Sequence, residues 1–327
     1  MRSFIKKIEY YIPSNRTNVI DLDDAHKDWD IENSIKKTGV KVLHHADKDE
    51  TIVDMAYIAA SKVLSKMSSD EIPDTLIFCT QTPDFTIPHC SALLQDKLKL
   101  PTSTKCFDIS LGCSGYSYGL SIAYSMLKSD LSHSVFLISG DAYSKIINEN
   151  DKTSYLLFSD AVACSLLERP KENLPFLFGT DGAGFKNIIY PMSGINTTIK
   201  NSNMPNCSIN DNGRFEMQGA AVYLFTMSVI VDEIKTFMKE NELSFNDIDL
   251  VVLHQASLLV LKTIQAKLNI PDHKMLIDLE EIGNTGSASI PIALKRAEDK
   301  KLLKRGNRLL LFGFGIGLSW SGSILRY

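Results

Sequence analysis

The chain has 327 residues, 44% of them hydrophobic and 23% charged, with a formal net charge of -4. That is enough chain for one large or two medium domains with a buried interior, and the balance excludes a disordered or fibrous protein. No basic run invites nucleic acid and no stretch of 18 apolar residues spans a membrane; the N-terminal MRSFIKKIEYYIPSNR has charges too close to its apolar residues for a secretory signal, so a cytoplasmic protein is expected.

In chain order, ETIVDMAYIAASKVLSKM (50–67) repeats apolar residues at three and four and predicts an amphipathic helix. TLIFCT (75–80), KCFDIS (105–110) and SVFLISG (134–140) read as buried strands, with a helix over 113–128 carrying Tyr116, Leu120, Ala123, Tyr124 and Leu127 on one face. This is an α/β pattern. Residues 171–218 hold the polar INTTIKNSNMPNCSINDNGR and are expected to form a surface excursion near a substrate entrance. A helix over 219–240 follows, then strands IDLVVLHQ (248–255), KMLIDL (274–279) and RLLLFGFG (308–315), with helices near 257–268 and 287–300.

The last third repeats the first. Thr80 to Cys113 is 33 residues and His254 to Asn284 is 30; Cys113 to Gly140 is 27 and Asn284 to Gly313 is 29. The chain therefore divides into 1–170, a connecting 171–218 and 219–327, with DISLGCSGYSYGL matching DLEEIGNTGSASI and with Cys113 and Asn284 at equivalent corners. Small residues in both helices (Gly115, Gly119, Ala123; Gly286, Ala288, Ala293) suit close packing between layers, and Pro291 falls where a missing N–H is tolerated.

Six cysteines (79, 90, 106, 113, 164 and 207) have no C-x-x-C spacing, so neither a metal site nor a disulfide framework is suggested. Cys113 differs from the rest in preceding a helix, where unpaired N–H groups and the helix dipole lower a thiol's pKa. Cys113, His254 and Asn284 all stand at strand ends or turns, where an open α/β sheet gathers its ligands. A thiolate accepts an acyl group; an asparagine amide and an imidazole N–H donate to an oxygen that turns negative. The glycine-rich FGFGIGLSWSG (312–322) brings backbone N–H groups, that of Ile316 above all, beside the Cys113 N–H as an oxyanion hole. The order Cys, His, Asn also occurs in papain-like peptidases, but CGSCW-type surroundings are absent and a duplicated sheet is the wrong scaffold. A non-catalytic partner subunit would ordinarily lose its nucleophile, which this chain keeps.

TGV (38–40), FDISLGCSG (107–115), LLFSDAVACSLLE (156–168), DGAG (181–184), HQA (254–256), GNTGSASIPIAL (283–294) and FGIGLSW (314–320) together resemble the thiolase superfamily and, within it, the ketoacyl-acyl-carrier-protein synthase III family. The resemblance implies a five-layered α-β-α-β-α fold in which two mixed sheets sandwich central helices. It implies that Cys113 takes the acyl group from an acyl-CoA, that His254 and Asn284 bind the thioester oxygen of a malonyl-carrier extender during decarboxylative condensation, and that the N–H groups of Cys113 and Ile316 form the oxyanion hole. No cofactor or metal is implied, coenzyme A entering as a thioester substrate. Trp29, Lys37 and Lys152 take the positions of coenzyme A contacts. A homodimer is implied, with the loop carrying Ile87 closing the partner's acyl pocket. Departures stand beside the likeness: Ser257 and Leu259 replace an asparagine and a carrier-docking arginine, Gln218 replaces a basic residue of the same surface, and Ile316 replaces a glycine while keeping its N–H. The lost charges favour a second acceptor, a hydroxyl or amine of a small molecule.

Overall fold

A computed structural model describes residues 3–23, 26–68, 72–190 and 215–327. The first half contains β1 (Ile5–Tyr11), β2 (Arg16–Asn18), α1 (Ile31–Thr38), β3 (Val42–His44), α2 (Ile52–Leu64), β4 (Thr75–Cys79), α3 (Cys90–Lys97), β5 (Lys105–Ile109), α4 (Gly115–Lys128), β6 (Ser134–Asp141), α5 (Lys152–Tyr155) and β7 (Ala161–Glu168). The second contains β8 (Phe176–Thr180), β9 (Ile188–Ile189), β10 (Glu216–Met217), α6 (Gly219–Phe225), α7 (Val231–Glu240), β11 (Leu250–Leu253), α8 (Leu258–Leu268), α9 (Ser289–Asp299), β12 (Arg308–Gly315) and β13 (Ser319–Arg326). No helix among the described residues is long and apolar enough to cross a membrane.

The duplication appears as two sheets of the same design. The first runs β1-β7-β6-β4-β5 and the second β8-β13-β12-β11. β4 and β6 are parallel and β6 and β7 antiparallel; β11 and β12 are parallel and β12 and β13 antiparallel. β8 pairs antiparallel with β13 as β1 does with β7. The expected excursion over 171–218 therefore already contains a strand of the second half, and the boundary at 219 moves back to about β8. The physical reason is that β13 is buried along almost its whole length and needs backbone partners on both edges. The rest of that segment from 191 to 214, Cys207 included, lies outside the described residues.

Between the sheets lie α4 and α9. Tyr116, Leu120 and Leu127 of α4 and Ile290, Ala293 and Leu294 of α9 share one core with Ile77 and Leu137 of the first sheet and Val252 and Leu311 of the second. α2, capped by a reciprocal Thr51–Asp54 box, packs Ala56, Ala60 and Val63 on the outer face of the first sheet. α7 and α8 cover the outer face of the second with Ile234, Phe237, Leu261 and Ile264. Five layers result, α-β-α-β-α. The helix expected over 219–240 is interrupted by a π turn at Thr226–Ile230, where the Thr226 and Ser228 hydroxyls donate to the Val222 and Leu224 carbonyls, each at 2.8 Å.

The strand expected over 274–279 survives only as a bridge between Met275 and Val251. A side chain takes over its ladder: Gln255 donates from Nε2 to the Leu253 and Leu276 carbonyls at 2.7 and 3.3 Å, and its Oε1 accepts from the Asp278 N–H at 2.8 Å. Gln255 is buried beside His254. Gln255→Leu strands the Asp278 N–H and two carbonyls, and is expected to cost about 2–4 kcal/mol of stability; a urea midpoint that falls with an unchanged slope is the check.

Candidate active site

After β5 the chain turns through residues 110–114, closed by the Gly115 N–H donating to the Gly112 carbonyl at 2.7 Å, and enters α4 with Ser114 at its cap. Cys113 stands on this turn and is buried. Gly313 and Gly315 at the end of β12 press against it: a Cβ at Gly313 would lie 2.7 Å from the Cys113 carbonyl oxygen, and one at Gly315 2.9 Å from the Cys113 sulfur. Only glycine allows that approach. Ile316 follows Gly315 directly, which brings the backbone that carries its N–H beside the Cys113 sulfur.

Burial pushes the Cys113 thiol up to about 12, against the opposite pull of the Ile316 and Cys113 backbone N–H groups. The lowered pKa expected of a cysteine before a helix is thus reversed, because the loss of water outweighs the helix terminus. His254 follows β11, its N–H donating to the Phe312 carbonyl at 2.9 Å. Burial drives its imidazole down to about 3, opposed by the Gly286 carbonyl, so the ring is neutral at physiological pH. Its Nδ1 lies 2.8 Å from Ser289 Oγ, and Phe314 meets the ring edge-on at 5.8 Å.

Asn284 joins the two halves. Its N–H donates to the Leu157 carbonyl and its carbonyl accepts from the Ser159 N–H, both at 2.9 Å. Its side-chain Oδ1 accepts from the Gly286 N–H at 2.9 Å and its Nδ2 donates to the Ala256 carbonyl at 3.3 Å, which fixes which end of the amide is the donor. Cys113, His254 and Asn284 line a single cavity of about 270 Å³, together with Phe158, Phe314 and Gly315. Behind it sits Asp141, absent from the sequence reading. It is wholly buried, accepts from the Gln81 N–H at 2.7 Å, Thr80 Oγ1 at 3.3 Å and Ser287 Oγ at 2.9 Å, and is pushed by burial up to about 7. A lone acid at the end of an apolar strand was its only sequence signal.

Comparison with known proteins gives the family. A family model described as 3-oxoacyl-[acyl-carrier-protein (ACP)] synthase III matches residues 107–182, and its C-terminal companion matches 238–327. The beta-ketoacyl-[acyl-carrier-protein] synthase III of Clostridium tetani (strain Massachusetts / E88) is 31% identical, covering 97% of this chain and 96% of the relative; that of Clostridium novyi (strain NT) is 30% identical with the same coverage. The chain belongs to the ketoacyl-acyl-carrier-protein synthase III family. A crystal structure of a 3-oxoacyl-(acyl-carrier-protein) synthase III superposes with a TM-score of 0.91 at 33% identity, each chain covered in full. The synthase from Burkholderia xenovorans LB400 gives 0.91 at 28%, with 99% of this chain and 93% of that one covered.

For this member of the synthase III family, the residues carried over as coenzyme A contacts fall in different places. Lys37 lines the cavity. Lys152 opens α5, one residue before the cavity-lining Thr153. Trp29 is only 6% exposed, with His26 stacked on it at 3.8 Å and Tyr155 edge-on at 6.0 Å, so that its ring is engaged within the protein and not laid open for adenine. Ile87 is 86% exposed on the loop before α3 and does not line its own chain's cavity. Leu259 is 46% exposed on the cavity rim beside Ser257, and Gln218 donates weakly to the Lys186 carbonyl at 3.5 Å. Ile316 packs against the core cluster that contains Tyr143, Phe158 and Phe215.

Proposed function

We propose that this synthase III is an acyltransferase that loads an acyl group from acyl-CoA onto Cys113 and condenses it with a malonyl thioester, carried by acyl-carrier protein. The observation that carries this reading is the meeting of Cys113, His254 and Asn284 in one cavity.

The resting thiol is neutral, so its proton leaves as sulfur attacks the thioester carbonyl. The oxygen that becomes negative takes the place between the Cys113 and Ile316 N–H groups, and coenzyme A departs as its thiol with the proton. In the second half-reaction the bond from the malonyl methylene to its carboxylate breaks. Carbon dioxide leaves, and the electron pair forms an enolate whose oxygen accepts from the His254 and Asn284 N–H groups. Both donors are neutral, which suits a dry site where an enolate forms and must then react. The enolate carbon attacks the acyl carbonyl, the carbon–sulfur bond to Cys113 breaks, and the thiolate takes a proton from solvent. A β-ketoacyl thioester is released. No cofactor is required.

A homodimer belongs to the same proposal. β5 is the open edge of the first sheet, carries the half-buried Phe107 and Ile109, and lies beside a loop with Phe85 and Ile87 exposed. Cytoplasmic placement completes the reading. The apolar Leu259 on the rim, where the family has an arginine, supports the second one, transfer to a hydroxyl or amine without decarboxylation.

Intact-protein mass spectrometry with acyl-CoAs from acetyl to octanoyl, followed by malonyl-carrier protein, tests both. The wild type is expected to gain the mass of one acyl group and Cys113→Ala to gain none. Discharge with release of carbon dioxide selects condensation, discharge without it selects simple transfer, and an unlabelled wild type refutes the donor.

A further inference from the structure

We propose that Ser289 is a positioning residue that holds the His254 imidazole in the tautomer carrying its proton on Nε2, and so sets the enolate-binding half of the reaction. The inference deepens the proposed role of His254 and rests on it. Ser289 is 3% exposed and is the first residue of α9. Its Oγ lies 2.8 Å from His254 Nδ1 and also accepts from the Gln255 N–H at 3.3 Å. Among the described residues it has no other hydrogen-bond partner.

A serine hydroxyl has one proton to give and two lone pairs to offer, and a neutral imidazole has one N–H and one lone pair. The Gln255 N–H occupies one lone pair of Ser289. If Nδ1 carried the imidazole proton it would occupy the other, and the hydroxyl proton would be buried with nothing to accept it. With the proton on Nε2, the hydroxyl donates to Nδ1 and every group is satisfied. His254 then presents Nε2–H as a donor. Because α9 follows the turn carrying Asn284, one turn-helix element supplies the amide donor and orients the imidazole donor, keeping the two in register.

Two measurements test this. The ¹⁵N chemical shifts of the His254 ring in the free wild-type enzyme are expected to report Nε2–H with Nδ1 as acceptor; an Nδ1–H ring, giving its proton to Ser289 or to the Gly286 carbonyl, overturns the proposal. In the half-reactions, Ser289→Ala is expected to load its acyl group within about twofold of the wild-type rate, while carbon dioxide release falls about 10–100-fold in kcat with KM little changed, a smaller loss than a wrong histidine tautomer causes in serine proteases. Ser289→Thr, which keeps the hydroxyl, is expected to recover most of it. An equal fall in both half-reactions, or no recovery with threonine, makes the role merely structural and overturns the proposal. If the wild type itself releases no carbon dioxide, the condensation reading fails, and the ring shifts still decide the tautomer on their own.

Discussion

Gly313→Ala is expected to slow acyl loading of Cys113 by at least about a hundredfold, the scale at which displacing a reacting group by an ångström is felt. The added Cβ would stand 2.7 Å from the Cys113 carbonyl oxygen and 2.8 Å from Ser114 Cα. Both are main-chain atoms, so no rotamer change relieves the overlap. β12 cannot yield, because it is hydrogen-bonded to β11 on one side and β13 on the other. The turn at 110–114 must move, and the nucleophile and one oxyanion-hole N–H move with it. The overpacking itself should cost about 1–3 kcal/mol, leaving a folded protein in which the chemistry is lost. Gly315→Ala adds backbone strain, since Gly315 has φ +153° and its Cβ would meet Cys113 Cβ at 2.8 Å. Gly182→Ala is the control: its Cβ meets nothing within 4 Å, and loading should be unchanged. Rates from time-resolved intact mass, with urea midpoints in parallel, separate lost geometry from lost fold.

Cys113, His254 and Asn284 were legible because each combines a chemically versatile side chain with the turn that ends or follows a strand, and because the two halves repeat. The sheets were legible where strands are wholly buried, as in TLIFC of β4. β8 was not: its apolar run is only Phe176-Leu177-Phe178, directly after Pro175, on an edge strand that is nowhere fully buried. KMLIDL had the run and lost the ladder, since Gln255, 21 and 23 residues before the positions it bonds, supplies the hydrogen bonds that a neighbouring strand would have made. The helix dipole at Cys113 could be anticipated from a glycine-bounded cysteine, but the depth of burial that overrides it is a property of β12 folding back over the turn, some 200 residues later. Ser289 gave no signal of its own, because a hydroxyl's partner is a matter of three dimensions.

The second large effect expected is on the pH dependence of stability, and Asp141→Asn exposes it. In the unfolded chain Asp141 titrates near 3.8; in the folded protein burial raises it to about 7. Between those values the folded protein keeps a proton that the unfolded chain has released. Its contribution is therefore complete below about pH 4 and is lost as pH rises through 7, a change worth about 4 kcal/mol. His254 acts in the opposite sense: burial lowers it from 6.5 to about 3, so its contribution is complete above 6.5 and is lost as pH falls. From about pH 4 to 6.5 the two slopes oppose each other, one proton against one. Asparagine keeps an acceptor for Gln81 and Thr80 and never charges, so of these two slopes the variant retains only the rising one of His254. It is expected to gain on the wild type by about 4 kcal/mol between pH 4 and pH 8. Cys79, Cys113 and Tyr143, which feel the Asp141 charge, are held neutral by burial throughout that range and do not blur the difference. Urea unfolding of both proteins at unit pH intervals reads it directly, because every other titrating group cancels between them. A difference that stays constant with pH would mean that Asp141 is already ionised in the folded protein at pH 4, its buried hydrogen bonds outweighing the cost of a charge without water.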